Sequence, residues 1–500
     1  MEPDWLTSTI VAAATCVPDY PTSAPFHPSD AYPEAPFPDR EPARPNHAYR
    51  AVRQALRLLG LDCERFGTPA WNPLGRLVSP GDTVALKPNL IRESHASRDE
   101  WEQVITHGSV VRAVLDFVFI ALQGRGRVIV ADGPQTDSDF DAVRRRTGLD
   151  HVAGYITRHG LPVELLDLRR DRWFQDGEII ARRESLPGDP AGYATIDLGG
   201  QSAFASHALS GAFYGADYDA VETAAFHEGG RHAYVLCRSV LDADVVINLP
   251  KMKTHKKTGV TLSLKNLVGI NGYRNCLPHY TLGTPREGGD EFPFTDIAHR
   301  LQGRAIRAFK QRLVAQGGTG GRWARAIKRV GRGVFGATDQ VIRSGNWHGN
   351  DTAWRMVLDL NRAFFHFDVS GARRARPVKY MTLVDGILGG DGNGPSSPDA
   401  VRSGLVVAGA NPVAVDTVCA ALMGLDYRRI ALLREAWAST TLRLVSGRAD
   451  DIDCRSDRVE WNGPFARVLE GPHCGYRVPL GWTGAIERDG AAARGSAPTR

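Results

Sequence analysis

The segment Ala243-Asp-Val-Val-Ile-Asn-Leu-Pro-Lys-Met-Lys253 joins a short apolar, β-branched run directly to two lysines. A run of this length and composition predicts a buried β-strand over 243–249 that ends at Pro250. Further apolar runs elsewhere in the chain also end directly in polar or charged residues. These predicted strands are 83–87 before Pro88-Asn89, 127–131 before Asp132-Gly133, and 380–384 before Asp385-Gly386.

The segments between these strands predict helices. Residues 47–59 and 109–122 carry apolar side chains at helical spacing, and the shorter apolar runs 10–16 and 161–166 predict two further strands. Continuous apolar strands separated by helices are typical of a sheet that is covered on both faces. The sequence therefore predicts an α/β fold with a mostly parallel, doubly wound (Rossmann-like) sheet.

The chain divides into an arm, a body and an extension. Nine prolines fall within 18–45, which predicts that residues 1–48 form a first strand and an extended surface arm. The α/β body is expected over 49–427, with insertions at about 199–235 and 272–345. A polar C-terminal extension with a disordered tail is expected over 428–500.

Parallel strands place the residues that follow them on one edge of the sheet, and open α/β sheets bind ligands at that edge. Lysine ammonium groups at such an edge suit a phosphate or a carboxylate. The alternative is that Asp132, Asp385 and Asp416 already neutralise the lysines in an internal ion-pair network. The expected ligand-binding residues are Lys87, Asn89, Lys251, Lys253, Lys265 and Asn266.

Asp132, His107, His255 and Asp385 lie near the same predicted strand ends and are the candidate catalytic residues. Carboxylate and imidazole groups together could transfer protons or hold a divalent metal. However, no H-x-x-x-H or H-x-H spacing supports a metal site, and Asp-Gly is also common in turns. The chain contains no G-x-x-x-x-G-K-[ST] motif and no G-x-G-x-x-G motif after a strand, so neither nucleotide-triphosphate hydrolysis nor classical dinucleotide binding is indicated.

Several motifs occur here in an order that resembles the domain of unknown function family 362. They are Lys87-Pro88-Asn89, residues 128–132, residues 248–272, Val384-Asp-Gly-Ile-Leu-Gly-Gly-Asp-Gly-Asn-Gly-Pro395 and Val406-Val-Ala-Gly-Ala-Asn-Pro-Val-Ala-Val-Asp416. The resemblance spans about 83–425 and implies an α/β fold. Many members carry an appended ferredoxin-like module. This chain lacks the cysteines of that module, so no iron-sulfur cluster and no electron-transfer role are expected.

The remaining composition bears on location and partners. Seven cysteines are scattered without C-x-x-C spacing, which fits a reducing compartment. The acidic start of the chain is unlike a secretory signal, and no apolar run is long enough to span a bilayer, so a cytoplasmic protein is expected.

One segment is strongly basic. Residues 300–332 contain ten Lys and Arg and no acidic residue. Their spacing predicts basic amphipathic helices, which either lie on an anionic membrane surface or pack on the body with a solvated basic face. The segment has few aromatic residues to stack on bases, so no nucleic-acid partner is expected.

Three functions remain open on the sequence alone. The first is an enzyme that acts on a phosphorylated or carboxylated small metabolite at the carboxyl edge of the sheet. The second is a binding or regulatory protein that uses the same pocket without turnover. The third is a peripheral membrane protein that handles an anionic lipid-linked substrate.

Overall fold

The computed structural model describes residues 4–41, 45–176, 179–207, 212–215, 220–294 and 342–488. The strands are β1 (Ile10–Thr15), β2 (Thr83–Pro88), β3 (Arg127–Asp132), β4 (Val163–Asp167), β5 (Asp171–Asp176), β6 (Ile179–Ser185), β7 (Tyr193–Asp197), β8 (Phe213–Tyr214), β9 (Ala233–Cys237), β10 (Val245–Leu249), β11 (Lys251–His255), β12 (Gly259–Thr261), β13 (Tyr280–Thr281), β14 (Lys379–Asn393), β15 (Ser397–Val401), β16 (Leu405–Gly409), β17 (Asp453–Ser456) and β18 (Gly463–Pro464). The helices are α1 (Asp4–Thr7), α2 (His47–Leu58), α3 (Gly108–Leu122), α4 (Phe140–Thr147), α5 (Leu149–Arg158), α6 (Ala220–Ala225), α7 (Arg238–Leu241), α8 (Ser263–Asn266), α9 (Ala353–His366), α10 (Pro412–Met423), α11 (Ala431–Ala438) and α12 (Phe465–Glu470).

The main sheet has the strand order β18-β17-β1-β16-β14-β10-β2-β3-β4. The five strands from β14 to β4 are parallel to one another, whereas β16 is antiparallel to both of its neighbours. The chain runs outward from β2 to β4 and then returns to place β10 on the other side of β2. This reversal creates a topological switch point between β2 and β10, where open α/β sheets bind ligands.

Apolar cores lie on both faces of the sheet. Along β3, Val128 and Val130 join the core that contains residues of α2 and α3. Ile129 and Ala131 join the other core, which contains residues of α9 and α10. Alternate residues of a strand point to opposite faces, so the strand is buried on both sides. The predicted mostly parallel, doubly wound α/β fold is confirmed.

Five of the six predicted strands match β1, β2, β3, β4 and β10 closely, but the strand predicted over 380–384 is longer in the structure. Strand β14 continues to Asn393, so Asp385 and Asp391 lie inside a strand and not in the turns in which Asp-Gly is common. The lysine-rich run after Pro250 is also a strand, β11, whose residues are all buried. Proline cannot continue the hydrogen-bond ladder of β10, and the chain instead pairs with the extension of β14, where Lys251 lies opposite Asp385.

The proline-rich arm forms no helix or strand over its described residues between β1 and α2, as predicted. However, part of the arm packs into the protein, because the side chains of Tyr20, Phe26 and Phe37 are buried. The Tyr20 ring stacks on His107 with 4.1 Å between ring centroids. Its hydroxyl donates to Asp385 Oδ1 at 2.5 Å. The arm is therefore fixed to the body by a buried polar contact.

The two predicted insertions are described in part. The first, 199–235, contains β8, α6 and the start of β9, which pairs antiparallel with β7. Of the second, 272–345, the basic segment 300–332 lies outside the described residues. The helix that follows it begins at Ala353, and Asn350 Oδ1 accepts a hydrogen bond from the backbone N–H of that residue at 2.7 Å.

The described part of the C-terminal extension, up to residue 488, adds β17 and β18 to one edge of the main sheet. The tail predicted to be disordered lies outside the described residues. No helix within the described ranges is both long enough and apolar enough to cross a bilayer.

The buried contact of Tyr20 yields a stability prediction. Its hydroxyl accepts from Lys251 Nζ at 2.8 Å and donates to Asp385, so Tyr20→Phe leaves both buried partners short of a hydrogen bond. We expect the free energy of unfolding to fall by about 1–3 kcal/mol, measured by urea denaturation. Tyr32→Phe is the matched control, because the Tyr32 hydroxyl bonds the partly exposed Asp30. An equal loss in both variants would contradict the role given to Tyr20.

Candidate functional site

A small cavity lies at the carboxyl end of β2 and β3, beside the switch point. Its volume is about 40 Å³, which is room for roughly three water molecules. Backbone segments from both sides of the switch point contribute side chains to its wall. We call this space the rim cavity, and its polar side chains are Lys87, Asn89, Asp132, His255, Thr261, Lys265, Asn266 and Arg274.

Lys87 is neutralised inside the protein. Its Nζ lies 2.7 Å from Asp132 Oδ1 and donates to Asn266 Oδ1 at 3.1 Å. The other carboxylate oxygen of Asp132 accepts from the Leu90 N–H at 2.6 Å. Burial lowers the pKa of Lys87, and the charge of Asp132 opposes that shift. The sequence left open whether Lys87 binds an anionic ligand or pairs with a carboxylate of the protein. The structure shows the ion pair.

Asn266 positions its neighbours. Its Oδ1 accepts from Lys87 and from Asn89 Nδ2 at 2.8 Å, and its Nδ2 donates to Lys87 O at 3.0 Å and to Asn248 Oδ1 at 2.7 Å. Both donors and both acceptor sites of this amide are thus occupied by protein. Asn266 therefore holds β2, β10 and α8 together at the cavity wall.

Lys265 lies on the short helix α8. The carboxylate of Asp416 holds the start of that helix by accepting from the N–H groups of Ser263 at 2.7 Å and Leu264 at 2.9 Å. Within the described ranges, the Lys265 ammonium has neither a hydrogen bond nor a carboxylate at ion-pair distance. Burial and the nearby charge of Arg274 lower the pKa of Lys265 to about 7.

Arg274 completes the cavity and was not predicted. Its Nη2 donates to Gly133 O and to Pro134 O, the second at 2.9 Å, while its buried Nε has no partner among the described residues. The residue follows Gly272 at the end of the lysine-rich segment. That position alone does not distinguish it from a solvated arginine in a loop, because two of the three carbonyls that fix it follow the distant strand β3.

His255 lies at the end of β11 and remains neutral. Burial and the surrounding lysines lower the pKa of His255 well below its usual value. Its Nδ1 accepts from the backbone N–H of Lys257 at 3.1 Å, so the proton of the neutral ring is assigned to Nε2. The ring can therefore donate a hydrogen bond from Nε2.

Gly269 allows the backbone to approach this charged group closely. A Cβ on Gly269 would lie 2.0 Å from Asp132 Oδ1 and 2.6 Å from Lys87 Nζ. The Gly269 carbonyl also accepts from the N–H of Gly133 at 2.8 Å. Any side chain at this position would displace the Lys87–Asp132 ion pair.

The other predicted site residues form a separate buried network. Lys251 Nζ lies 3.0 Å from Asp385 Oδ2, and both side chains are fully buried. The same carboxylate oxygen accepts from the His107 N–H at 3.0 Å, and His107 Nδ1 caps α3 by accepting from the Ser109 N–H. Burial lowers the pKa of His107 well below its usual value. None of these three residues lines the rim cavity.

Lys253 neither lines the rim cavity nor bonds the Lys251–Asp385 pair. Its Nζ donates to Asn89 Oδ1 at 3.1 Å, Val104 O at 2.5 Å and Pro395 O at 3.3 Å. Three oxygen acceptors match the three N–H donors of an ammonium group, so the side chain is fixed without a carboxylate. Burial and the charge of Lys251 lower the pKa of Lys253.

The candidate catalytic residues are thus divided between two places. Asp132 and His255 line the rim cavity, whereas His107 and Asp385 lie in the buried network. No three His, Cys, Asp or Glu side chains within the part of the chain that is described are grouped so that they could hold a metal ion. The geometry therefore adds no support to the expected divalent metal, which stays a prediction.

A buried and an exposed lysine are expected to differ in their effect on the free energy of unfolding. Lys251→Met removes the partner of the fully buried Asp385, and we expect it to lower the free energy of unfolding by about 3–5 kcal/mol. Lys379→Met is the matched control, because Lys379 is partly exposed and pairs with Asp82 at 3.0 Å. We expect a loss of less than about 1 kcal/mol in the control. Denaturant unfolding measures both, and similar losses in the two variants would refute a structural role for Lys251.

Comparisons with known proteins locate the chain in a family. The chain is 26% identical over 206 residues to a thylakoid-associated protein of Synechocystis sp.; the match covers 41% of this chain and 42% of that protein. It thus spans less than half the length of that relative. A crystal structure of a Thermotoga maritima protein superposes with a TM-score of 0.31 at 11% identity, over 74% of this chain and 58% of the other; a score this low carries no argument.

The family model described as "Domain of unknown function (DUF362)" matches residues 84–186 and 201–421. These ranges hold β2, β3 and β10, all the named side chains of the rim cavity, and the Asp416 carboxylate that holds α8. Because the match extends over most of the chain, this protein belongs to the DUF362 family.

Proposed function

We propose that this protein binds an anionic small molecule, phosphorylated or carboxylated, in the rim cavity and acts on it as an enzyme. One observation carries the proposal: Lys265 and Arg274 line a cavity at the switch point of the sheet, and no carboxylate among the described residues pairs with either. A cation removed from water without a counter-charge is costly, and an anion from solution relieves that cost.

The balance of charge around the cavity supports an anion. Lys87 and Asp132 cancel one another, and His255 is held neutral by its lowered pKa. Lys265 and Arg274 then leave an excess of positive charge. The buried Nε of Arg274 also has no hydrogen-bond partner within the described ranges, and a guanidinium N–H suits a carboxylate or phosphate oxygen.

Catalysis is favoured over passive binding by the state of Lys265. A lysine that only holds an anion works best when it is fully charged, yet burial lowers the pKa of Lys265 to about 7. Lysines with a pKa near the working pH are typical of groups that transfer protons or attack carbon. The alternative is a regulatory protein that binds the same anion without turnover, and a ligand that is recovered unchanged would favour it.

Inorganic phosphate is the simplest probe of the anion site. We expect phosphate to raise the melting temperature of the wild-type protein, by an amount equivalent to about 1.4 kcal/mol at ten times its Kd. Lys265→Met should fold with near wild-type stability, because Lys265 has no protein partner within the described ranges, and it should lose this stabilisation. Differential scanning fluorimetry measures both quantities.

Two controls make the phosphate experiment specific. Lys379→Met changes a lysine on β14 that lies outside the rim cavity and should keep the full phosphate effect. Potassium chloride at the same ionic strength should not reproduce the effect. Full phosphate stabilisation of Lys265→Met, or equal stabilisation by chloride, would reject the proposed site.

We also propose that the protein is cytoplasmic and associates with an anionic membrane surface through residues 300–332. The ten cations of that segment and the name of the thylakoid-associated relative support this second proposal. The protein should float with vesicles that contain anionic lipid at low salt, and release at high salt should follow from charge screening. Equal recovery with neutral and anionic vesicles would contradict it.

A further inference from the structure

We propose that the Lys265 amine forms an imine with the carbonyl carbon of a small anionic aldehyde or 2-oxo acid bound in the rim cavity. This inference rests on the anion site proposed above and names its substrate class. It assigns Lys265 a covalent role in place of a purely electrostatic one.

Lys265 differs from the other three lysines near the switch point in having its amine unengaged. Lys87 is paired with Asp132, and Lys251 with Asp385. Lys253 is held by three oxygen acceptors. Within the described residues only the Lys265 amine, among these four, both lines the cavity and lacks a bonded partner. A nucleophile must have its lone pair accessible, and Lys265 meets that requirement.

The surroundings of Lys265 keep a large share of the group as the neutral amine. Burial and the positive charges of Arg274 and Lys87 lower its pKa to about 7. About half of the side chain is then neutral at pH 7, whereas an ordinary lysine is roughly 0.04% neutral at that pH. Desolvation next to another cation is a known way to activate lysine for attack on carbonyl carbon.

The charge and the volume of the cavity both suit a small anionic substrate. The Nε of Arg274, which has no partner among the residues that the structure describes, suits a carboxylate oxygen. In a 2-oxo acid the carboxylate is bonded directly to the carbonyl carbon, and Arg274 and Lys265 both line the cavity, so one small ligand can contact both residues. The volume of about 40 Å³ is small, so the smallest such acids, glyoxylate and pyruvate, are the appropriate probes.

The reaction balances without a further reactant. The Lys265 lone pair forms the C–N bond while the carbonyl π pair moves to oxygen, which takes a proton from the nitrogen. The resulting carbinolamine transfers a second proton from nitrogen to the hydroxyl group and loses water. The net change is amine plus carbonyl to imine plus water, with no oxidation or reduction. His255, which carries its proton on Nε2, can donate a hydrogen bond to the oxygen as charge develops.

Reductive trapping tests the proposal directly. The full chain is incubated with glyoxylate or pyruvate and cyanoborohydride at neutral pH, and the modified residue is found by peptide mass spectrometry. We expect a single reduced adduct on Lys265 that forms at least ~10-fold faster than on any other lysine. No adduct at Lys265, or labelling spread evenly over the lysines, would overturn the inference.

Acetone tests whether the anionic group matters. It resembles pyruvate in shape but lacks the carboxylate. We expect it to label Lys265 at least ~10-fold more slowly than pyruvate does, after each rate is divided by the rate at which the same compound labels the exposed Lys379. Equal labelling by the two compounds would overturn the requirement for an anion. Because this comparison uses the wild-type protein, it does not depend on whether any variant folds.

Lys265→Arg separates this inference from the anion site. Arginine keeps the positive charge but does not form an imine, so phosphate should still stabilise the variant while trapping at position 265 is lost. Lys379→Met should retain both properties. If phosphate stabilises the wild type but no adduct forms, the imine is wrong and the anion site stands; if phosphate has no effect on the wild type, the anion site itself is wrong.

Discussion

Several lysine side chains are buried at one edge of the sheet, and the need to give their ammonium groups a protein partner is the constraint on which this structure depends. A buried ammonium group costs several kcal/mol unless a protein group replaces its hydration. Lys87 therefore requires Asp132 at the end of the next strand, and Lys251 requires Asp385 in β14. The Lys87–Asp132 pair leaves space for no side chain at Gly269, and the Lys251–Asp385 pair draws in Tyr20 from the arm. Features far apart in sequence follow from these two ion pairs.

Amide side chains then give this charged edge its rigidity. Asn248 on β10 bonds Asn266 on α8, which bonds Asn89 after β2, so the switch point is bridged by a continuous set of hydrogen bonds. The start of α8 is held separately by Asp416, and Asn361 Nδ2 donates to the Leu264 carbonyl at 2.9 Å. A fully satisfied buried network fixes the groups attached to it. Lys265 thus extends from a short helix that is held at both ends, although its own ammonium has no partner among the described residues.

Much of the fold was predictable from the sequence. Apolar strands that alternate with helices indicate a parallel sheet, and this holds without knowing which strands pair with one another. Residues at the carboxyl ends of β2 and β3, such as Asn89 and Asp132, lie together at the edge where the sequence places them. The length of β14 was not predictable: its extension is stabilised by pairing with β11, and Asp385-Gly386 by itself reads as a turn. That extension carries Asp385 into the buried network, away from Asp132. Arg274 was missed since its fixed position depends on carbonyls of residues 133, 134 and 268.

The protonation of Lys265 links binding to reactivity. Within the described residues its ammonium has no counter-charge, and the free-energy cost of burying that charge can be relieved in two ways. Lys265 can attract an anion, or it can release its proton, as its pKa of about 7 indicates. An anion close to Lys265 favours the charged form and so raises the pKa of its amine. An anion held by Arg274 acts in the same direction, because it offsets the positive charge of Arg274 that helps to lower this pKa, whereas the contribution of burial remains. Anion binding and attack by Lys265 are therefore opposed in part, and a substrate that reacts there must draw on the neutral amine that burial maintains.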